Sequence, residues 1–320
     1  MRAAKYHSTG AATKVLEICD VKRPSLEPGD VLVRISYSGI NPTDVKARSG
    51  AVPRPIDGFQ IPHHDGAGVI EAVGAAVDPA RVGERVWVMF AATANKYGTA
   101  AEFCAVKSEF AQPLPANCEF ELGATVGIPA VTAAYCLFAD GPIKDTNVLI
   151  SGGAGAVGRS AIQLAKWGGA RVYATVSSDE KAEIARAAGA DVVVNYRDDD
   201  AQDQLRGQGI SRIIEVNLAD NMELDIAIAQ PGMKIVSYAA DGDDPIMPRR
   251  PLMGANVTIE FMLIFNVMKS KFAGAVDTVN RALAEGALTM PPVRYFALDD
   301  IASAHTALEA GSTERILIRL

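Results

Sequence analysis

Two short stretches carry the residues whose types and spacing could do chemistry. In "QIPHHDGAGVIEAVG", residues 60–74, two of the chain's four histidines precede an acid. His63, His64 and Asp65 are all possible metal ligands. In "NVLISGGAGAVGRSAIQLAKWGG", the pattern Gly153-x-Gly155-x-x-Gly158 follows a strand-like run and opens a helix-like one. Here Gly153 permits a tight turn, Gly155 lets the backbone approach a pyrophosphate, and Gly158 lets the helix pack close to the sheet. The amides around Ala156 and Val157 then point at the anion. The first stretch raises the question of a catalytic zinc, and the second predicts a bound dinucleotide.

The next strand bears on which dinucleotide. An enzyme for NAD usually places Asp or Glu about 20 residues further on, where it binds the ribose 2′-hydroxyl. The strand ends "YATVSSDEK", with Val176 in the expected place of that acid. Ser177, Ser178 and Lys181 follow, and two hydroxyls with an ammonium suit a 2′-phosphate at a helix N-terminus. Ser177-x-x-Glu180 also fits a capping box, and both roles can hold together. The expected cofactor is therefore NADPH.

These stretches need elements to position them. Up to about residue 120, "VLVRISYSGI", "GAGVIEAVG", "GERVWVMF" and "TAAEFCAV" are short, β-rich and punctuated by Gly, Pro and Asn, which predicts a closed or partly closed β-domain. "ELGATVGIPAVTAAYCLF" then reads as a small-residue helix. From "NVLIS" onward, apolar runs alternate with helical segments through "NVTIEF", which predicts a doubly wound domain with six parallel strands. After residue 262 two helices and a last strand, "RILIRL", are expected to return to the first domain. The expected division is 1–121 with 264–320, and 122–263. A chain of 320 residues, 49% apolar, supports two such cores. A net charge of −7 excludes a basic face for nucleic acid. No apolar run is expected to span a membrane, and the N-terminus lacks the apolar core of a signal peptide. Four scattered cysteines read as reduced thiols of a cytoplasmic protein.

Over essentially its whole length the sequence resembles the zinc-independent medium-chain dehydrogenase/reductases of the NADPH:quinone oxidoreductase branch, related to zeta-crystallin. The resemblance rests on "SGINPTDVKARSG", "DGAGVIEAVG", "GTAAEF", "IPAVTAAYCLF" and the long run from "GGAGAVGRSAIQLAKWGG" to "GADVVVNYR". It implies a GroES-like β-barrel catalytic domain joined to a Rossmann domain. It further implies that Lys181 and Tyr196, with Ser177 or Ser178, contact the 2′-phosphate, while Arg197 either joins them or stays a solvated surface residue. Asn41 and Thr132 would lie near the nicotinamide and Ser237 beneath the cofactor. Arg315 takes a place near the cofactor cleft where relatives often have Lys, although Glu314 replaces their preceding Gly.

The resemblance also answers the zinc question with an expectation. Zinc relatives supply Cys where this chain has Asn41, His where it has His64, and a second Cys where it has Ile128. Catalytic zinc takes three protein ligands and an open position, so no metal is expected. His64 then reads either as a polar lining residue hydrogen-bonded to Asp44 or Asp65, or as a proton donor or substrate contact. His63 is expected at the surface, and His305 is given no role. Tyr97 either partly replaces the substrate-side tyrosines of bacterial relatives, whose places hold Lys46 and Val52, or caps the barrel mouth. The implied reaction is NADPH-dependent reduction of quinones. The rivals are an enone or alkenal double-bond reductase, and an NADPH-binding structural or sensor protein. "NVTIEFMLIF", an apolar strand at a sheet edge, predicts a homodimer unless a helix from 270–285 covers it.

Overall fold

β-prone runs separated by Gly and Pro fold mostly as antiparallel strands, and short apolar runs that alternate with helical segments fold as parallel ones. The computed structural model describes residues 1–240 and 242–320 and divides the chain into two units, 1–128 with 289–320, and 129–288. The first unit begins β1 Arg2–Lys5, α1 Ala12–Val15, β2 Glu17–Asp20, β3 Asp30–Gly39, α2 Pro42–Ser49 and β4 Asp65–Val73. It continues β5 Arg85–Val88, β6 Phe103–Lys107, β7 Ala111–Pro113 and the start of α3 Phe120–Phe138.

The second unit holds β8 Asn147–Ile150, α4 Ala156–Trp167, β9 Arg171–Val176, α5 Asp179–Ala187, β10 Val192–Asn195 and α6 Ala201–Leu205. There follow β11 Ile210–Glu215, α7 Leu218–Ala227, β12 Lys234–Ser237, α8 Arg249–Gly254, β13 Thr258–Phe261 and α9 Lys269–Ala284. The chain then returns to the first unit with β14 Val293–Ala297, α10 Ile301–Glu309 and β15 Arg315–Arg319.

In the first unit β14, β15, β3, β4, β5 and β7 lie side by side, and β6 also pairs with β3. β3 can serve three partners because it is ten residues long. Its first half pairs with β6 and its last three residues with β15, while β4 runs along its other edge. Val31, Val33 and Ile35, at a spacing of two, point inward with Ile70, Val86, Val88 and Cys104. The return of β15 brings Arg315 beside the end of β3. This is the expected GroES-like architecture.

In the second unit the order β10-β9-β8-β11-β12-β13 is wholly parallel, the expected six-stranded Rossmann sheet. The order reverses between β8 and β11, and a ligand crevice lies outside the carboxyl ends of strands at such a point.

Two expectations change. The chain leaves the second unit at residue 288, not at 263, because α9 packs there. Its buried face comprises Ala275, Val276, Thr278, Val279, Ala282 and Leu283. Just beyond it, Glu285 accepts a hydrogen bond from Trp167 Nε1 at 2.8 Å. In addition, α3 does have the length and apolarity to cross a membrane, but 89% of that stretch is buried, as in a core helix. Its small residues allow close packing, so its apolarity serves the interior.

Candidate functional site

At the switch point of the parallel sheet the glycine loop forms a cradle. Gly152, not Gly153, takes the left-handed backbone of the turn, with φ 67°. Gly153 is instead needed for contact, since a Cβ there would lie 2.8 Å from that of Ala174. A Cβ on Gly158 would collide with the Gly152 carbonyl, so α4 can start this close to the loop only with glycine there. Gly155 is the N-cap of α4, makes no side-chain cap, and is followed by no acid in the first turn. The amides of Ala156 and Val157 therefore open a helix whose positive end carries no carboxylate of its own, which fits a pyrophosphate.

Beside this cradle the ends of β9 and β10 bring the other predicted residues together. Val176 is buried and pairs with Asn195, and its carbonyl accepts the N–H of Tyr196 at 3.0 Å. Lys181 Nζ donates to Ser177 Oγ at 2.9 Å, so one hydroxyl and the ammonium are already adjacent. Ser178, rather than Ser177, caps α5, its Oγ accepting the Lys181 N–H at 3.4 Å. The side chain of Tyr196 is 45% exposed, and the Arg197 guanidinium lies 5.9 Å from its ring centre. A cluster of hydroxyls, ammonium and guanidinium at a helix N-terminus fits a 2′-phosphate. Ser237 lies buried at the end of β12. Sequence reasoning missed Glu215, buried at the end of β11. It accepts from Ser151 Oγ at 2.6 Å, from the Asn217 N–H at 2.5 Å and from Asn221 Nδ2 at 2.8 Å, bracing the switch point.

The first unit builds a different site, from buried side chains. Asn41 starts α2, and its backbone N–H donates to Asp44 Oδ2 at 2.7 Å. Its amide is held at both ends: Nδ2 donates to Asp65 Oδ2 at 2.7 Å, and Oδ1 accepts from Arg315 Nη2 at 3.2 Å. Because a guanidinium only donates and a carboxylate only accepts, the amide has one orientation. Asp65 also accepts the Ile128 N–H at 3.0 Å. Gly127 makes this approach possible, since a Cβ there would collide with the Asp65 carboxylate. Burial pushes Asp65 up to about 6, against the opposing pull of Asn41, the Ile128 N–H and Arg315. Arg315 also donates to the Ile40 carbonyl at 3.1 Å. It therefore secures Asn41.

His64 is buried, and its backbone N–H donates to Asp44 Oδ1 at 3.1 Å. Its Nε2 accepts from Arg54 Nη1 at 3.1 Å, and Nδ1 lies 3.3 Å from Thr93 Oγ1. Burial, then the Arg54 charge, hold its pKa down to about 3, so the imidazole is neutral. Burial, opposed mainly by the Asn41 N–H, pushes Asp44 up to about 8. Thr132 is buried within α3, in the second unit. Tyr97 has a different setting, its ring edge-on to Phe59 at 5.8 Å.

His63 is fully buried, contrary to the expectation of a surface residue. Its left-handed backbone, with φ 76°, turns the ring inward. Nδ1 lies 2.8 Å from Ser38 Oγ, and Nε2 lies 2.9 Å from Nε2 of His305, on which the ring stacks. Both imidazoles are packing and hydrogen-bonding groups of the interior, and His305 is thus half of a buried pair.

A glycine cradle at the switch point of a doubly wound sheet, in a chain that also carries a GroES-like unit, defines a dinucleotide-binding oxidoreductase. Residues 27–116 match the alcohol dehydrogenase GroES-like domain, and residues 156–281 match the zinc-binding dehydrogenase family. A quinone oxidoreductase from Lama guanicoe is 28% identical over 327 residues, covering 100% of this chain and 98% of that one. A mycobacterial protein solved in complex with NADPH superposes with TM-score 0.85 and 27% identity, over 100% of both chains. An NAD-dependent alcohol dehydrogenase superposes with TM-score 0.90 and 26% identity, also over 100% of both. The chain belongs to the medium-chain dehydrogenase/reductase family.

Proposed function

We propose that this protein is an NADPH-dependent reductase of quinones that works without zinc. A shared fold does not choose between this and alcohol oxidation, so the local residues must. The observation that carries the reading is the Asn41 amide, fixed between Asp65 and Arg315 where a zinc relative has a ligand. Ile128 has no donor side chain, and the His64 nitrogen is already engaged by Arg54. This donor set does not fit catalytic zinc. Val176 in place of an acid, with Lys181 against Ser177, supports NADPH over NADH, as does the NADPH complex of the mycobacterial relative.

NADPH, when bound, supplies the hydride. The chain's part is to hold it: the start of α4 at the pyrophosphate, and Ser177, Ser178, Lys181, Tyr196 and Arg197 at the 2′-phosphate. Asn41 and Thr132 are assigned to the nicotinamide and Ser237 to a place beneath the cofactor, and Arg315 acts through Asn41. A quinone is electrophilic enough to accept hydride without a Lewis acid, and solvent supplies the proton. The quinone activity of the Lama guanicoe relative favours quinones over enones. Steady-state NADPH oxidation against a panel of quinones and a panel of enones tests this. Faster turnover of the enones, or tight NADPH binding with no turnover of either, would defeat it.

We further infer a homodimer in the cytoplasm. Phe261, which ends the edge strand β13, is 65% exposed, and Leu263, two residues beyond it, is 53% exposed. The strand's one acid, Glu260, is neutralised within the subunit by Lys234 at 2.5 Å and accepts the Tyr135 hydroxyl at 2.9 Å. The four cysteines suit a reducing compartment. Phe261→Lys should yield monomers in sedimentation while changing protomer stability by less than about 0.5 kcal/mol. A wild-type monomer at micromolar concentration would refute the dimer.

A further inference from the structure

The glycine loop is held on both flanks. On the β9 side the Gly153 N–H donates to the Thr175 carbonyl at 2.9 Å, and the Gly152 N–H to the Thr175 hydroxyl at 3.4 Å. On the β11 side the Ser151 N–H donates to the Ile214 carbonyl at 3.0 Å, and the Ser151 hydroxyl to Glu215 Oε2 at 2.6 Å. The other oxygen of that carboxylate takes the N–H of Asn217, which caps α7, at 2.5 Å, and the Asn221 amide at 2.8 Å. Ser151 and Glu215 are both buried. A carboxylate only accepts, so this one side chain can gather three donors from two segments. Those segments, the loop after β8 and the start of α7 after β11, flank the crevice where the strand order reverses.

We propose that Glu215 is a positioning residue for the dinucleotide, fixing the gap between the glycine loop and α7 before the pyrophosphate enters it. This rests on the reading of that crevice as the NADPH site. The glycine loop is short of side chains of its own, so nothing within it sets its distance from α7. The Ser151–Glu215–Asn217 tie does so from outside. A loop already held in its binding geometry loses less conformational freedom when the ligand arrives, and more of the interaction energy remains as affinity. The contribution belongs to the pyrophosphate, which NADPH and NADH share. It therefore differs in kind from that of Lys181, which belongs to the 2′-phosphate. Glu215 itself need not touch the cofactor, since it acts through the Ser151 hydroxyl on one side and through Asn217 and Asn221 on the other.

The probes are NADPH, NADH and ADP-ribose, which lacks both the nicotinamide and the 2′-phosphate, titrated by calorimetry. Glu215→Leu and Ser151→Ala should each weaken all three by about three- to tenfold. Both break the same tie, so the double variant should lose no more than the larger single loss. Glu215→Gln should restore the affinity lost in Glu215→Leu, because its oxygen accepts from Asn217 and Asn221 while its Nε2 donates to Ser151 Oγ. Asn221→Ala takes the place of Glu215→Leu in the cycle if that variant does not fold. A lowered thermal midpoint with unchanged affinities would make Glu215 a purely structural residue and overturn the proposal. A double variant whose loss is the product of the two single losses would overturn it too. If wild type reduces neither quinones nor enones but the losses and the cycle are as expected, the assigned reaction fails and the positioning role stands.

Discussion

The two units meet charge by opposite means. In the parallel-sheet unit the expected anion is met by peptide N–H groups at the start of α4 and by half-exposed side chains at the ends of β9 and β10. In the barrel unit Asn41, Asp44, His64, Asp65 and Arg315 are all buried and linked by hydrogen bonds, with Arg315 Nε left without a partner among the described residues. A backbone cradle is specified by local spacing and leaves its cation side chains replaceable one at a time. A buried web is specified by contacts between residues hundreds of positions apart, and removal of one member leaves its partners charged in a low-dielectric interior.

The largest effect should come from the web. Asp65→Ala leaves Arg315 buried without its nearby acid and leaves the Asn41 amide and the Ile128 N–H without their acceptor. It should destabilise the fold by about 3–5 kcal/mol in urea denaturation, and Asp65→Asn by less. A loss under about 1 kcal/mol would erase the contrast between the units. At the cradle, Lys181→Ala should weaken NADPH binding by about 1.5–3 kcal/mol and leave NADH nearly unchanged, in fluorescence titrations. Equal losses for both cofactors would remove Lys181 from the 2′-phosphate.

A smaller effect sharpens the comparison from inside the parallel-sheet unit, which has one buried acid outside any such web. Among the described residues neither carboxyl oxygen of Asp225 in α7 has a hydrogen-bond partner, and burial, then the Glu215 charge, raise its pKa well above the ordinary value. The folded state keeps this proton while the unfolded chain loses it near about 4. Its contribution to stability is therefore full below about pH 4 and declines as pH rises toward the folded-state pKa. Asp225→Asn should stabilise the protein by about 1 kcal/mol at neutral pH and by nothing near pH 4, in urea titrations at the two pH values. Destabilisation at neutral pH would mean that the carboxylate has a partner.

Legibility in the sequence followed the same division. Local signals sufficed for the six parallel strands, the Gly153–Gly158 loop, and the pair Ser177 and Lys181, because strand period, turn residues and helix starts are encoded over a few neighbours, whereas Tyr196 entered only through the family resemblance. Even there the left-handed turn residue proved to be Gly152 and the cap Ser178, each one residue from the position expected. The barrel site was readable as residue types but not as contacts. His63 looked like a surface neighbour of His64, and only the packing of α10, 242 residues on, buries it against His305. Arg54 stood in a Pro-rich segment that reads as solvated loop, with no local pattern pointing it at His64. The helix α9 was assigned to the wrong unit because an amphipathic face says that a helix packs but not on what.

The claim that this web replaces a metal is tested most directly by exhaustive chelation of the purified protein, followed by metal analysis and steady-state NADPH oxidation with a quinone. The account predicts undiminished turnover with less than stoichiometric zinc. A full equivalent of zinc, with activity lost on its removal and restored on its return, would contradict it.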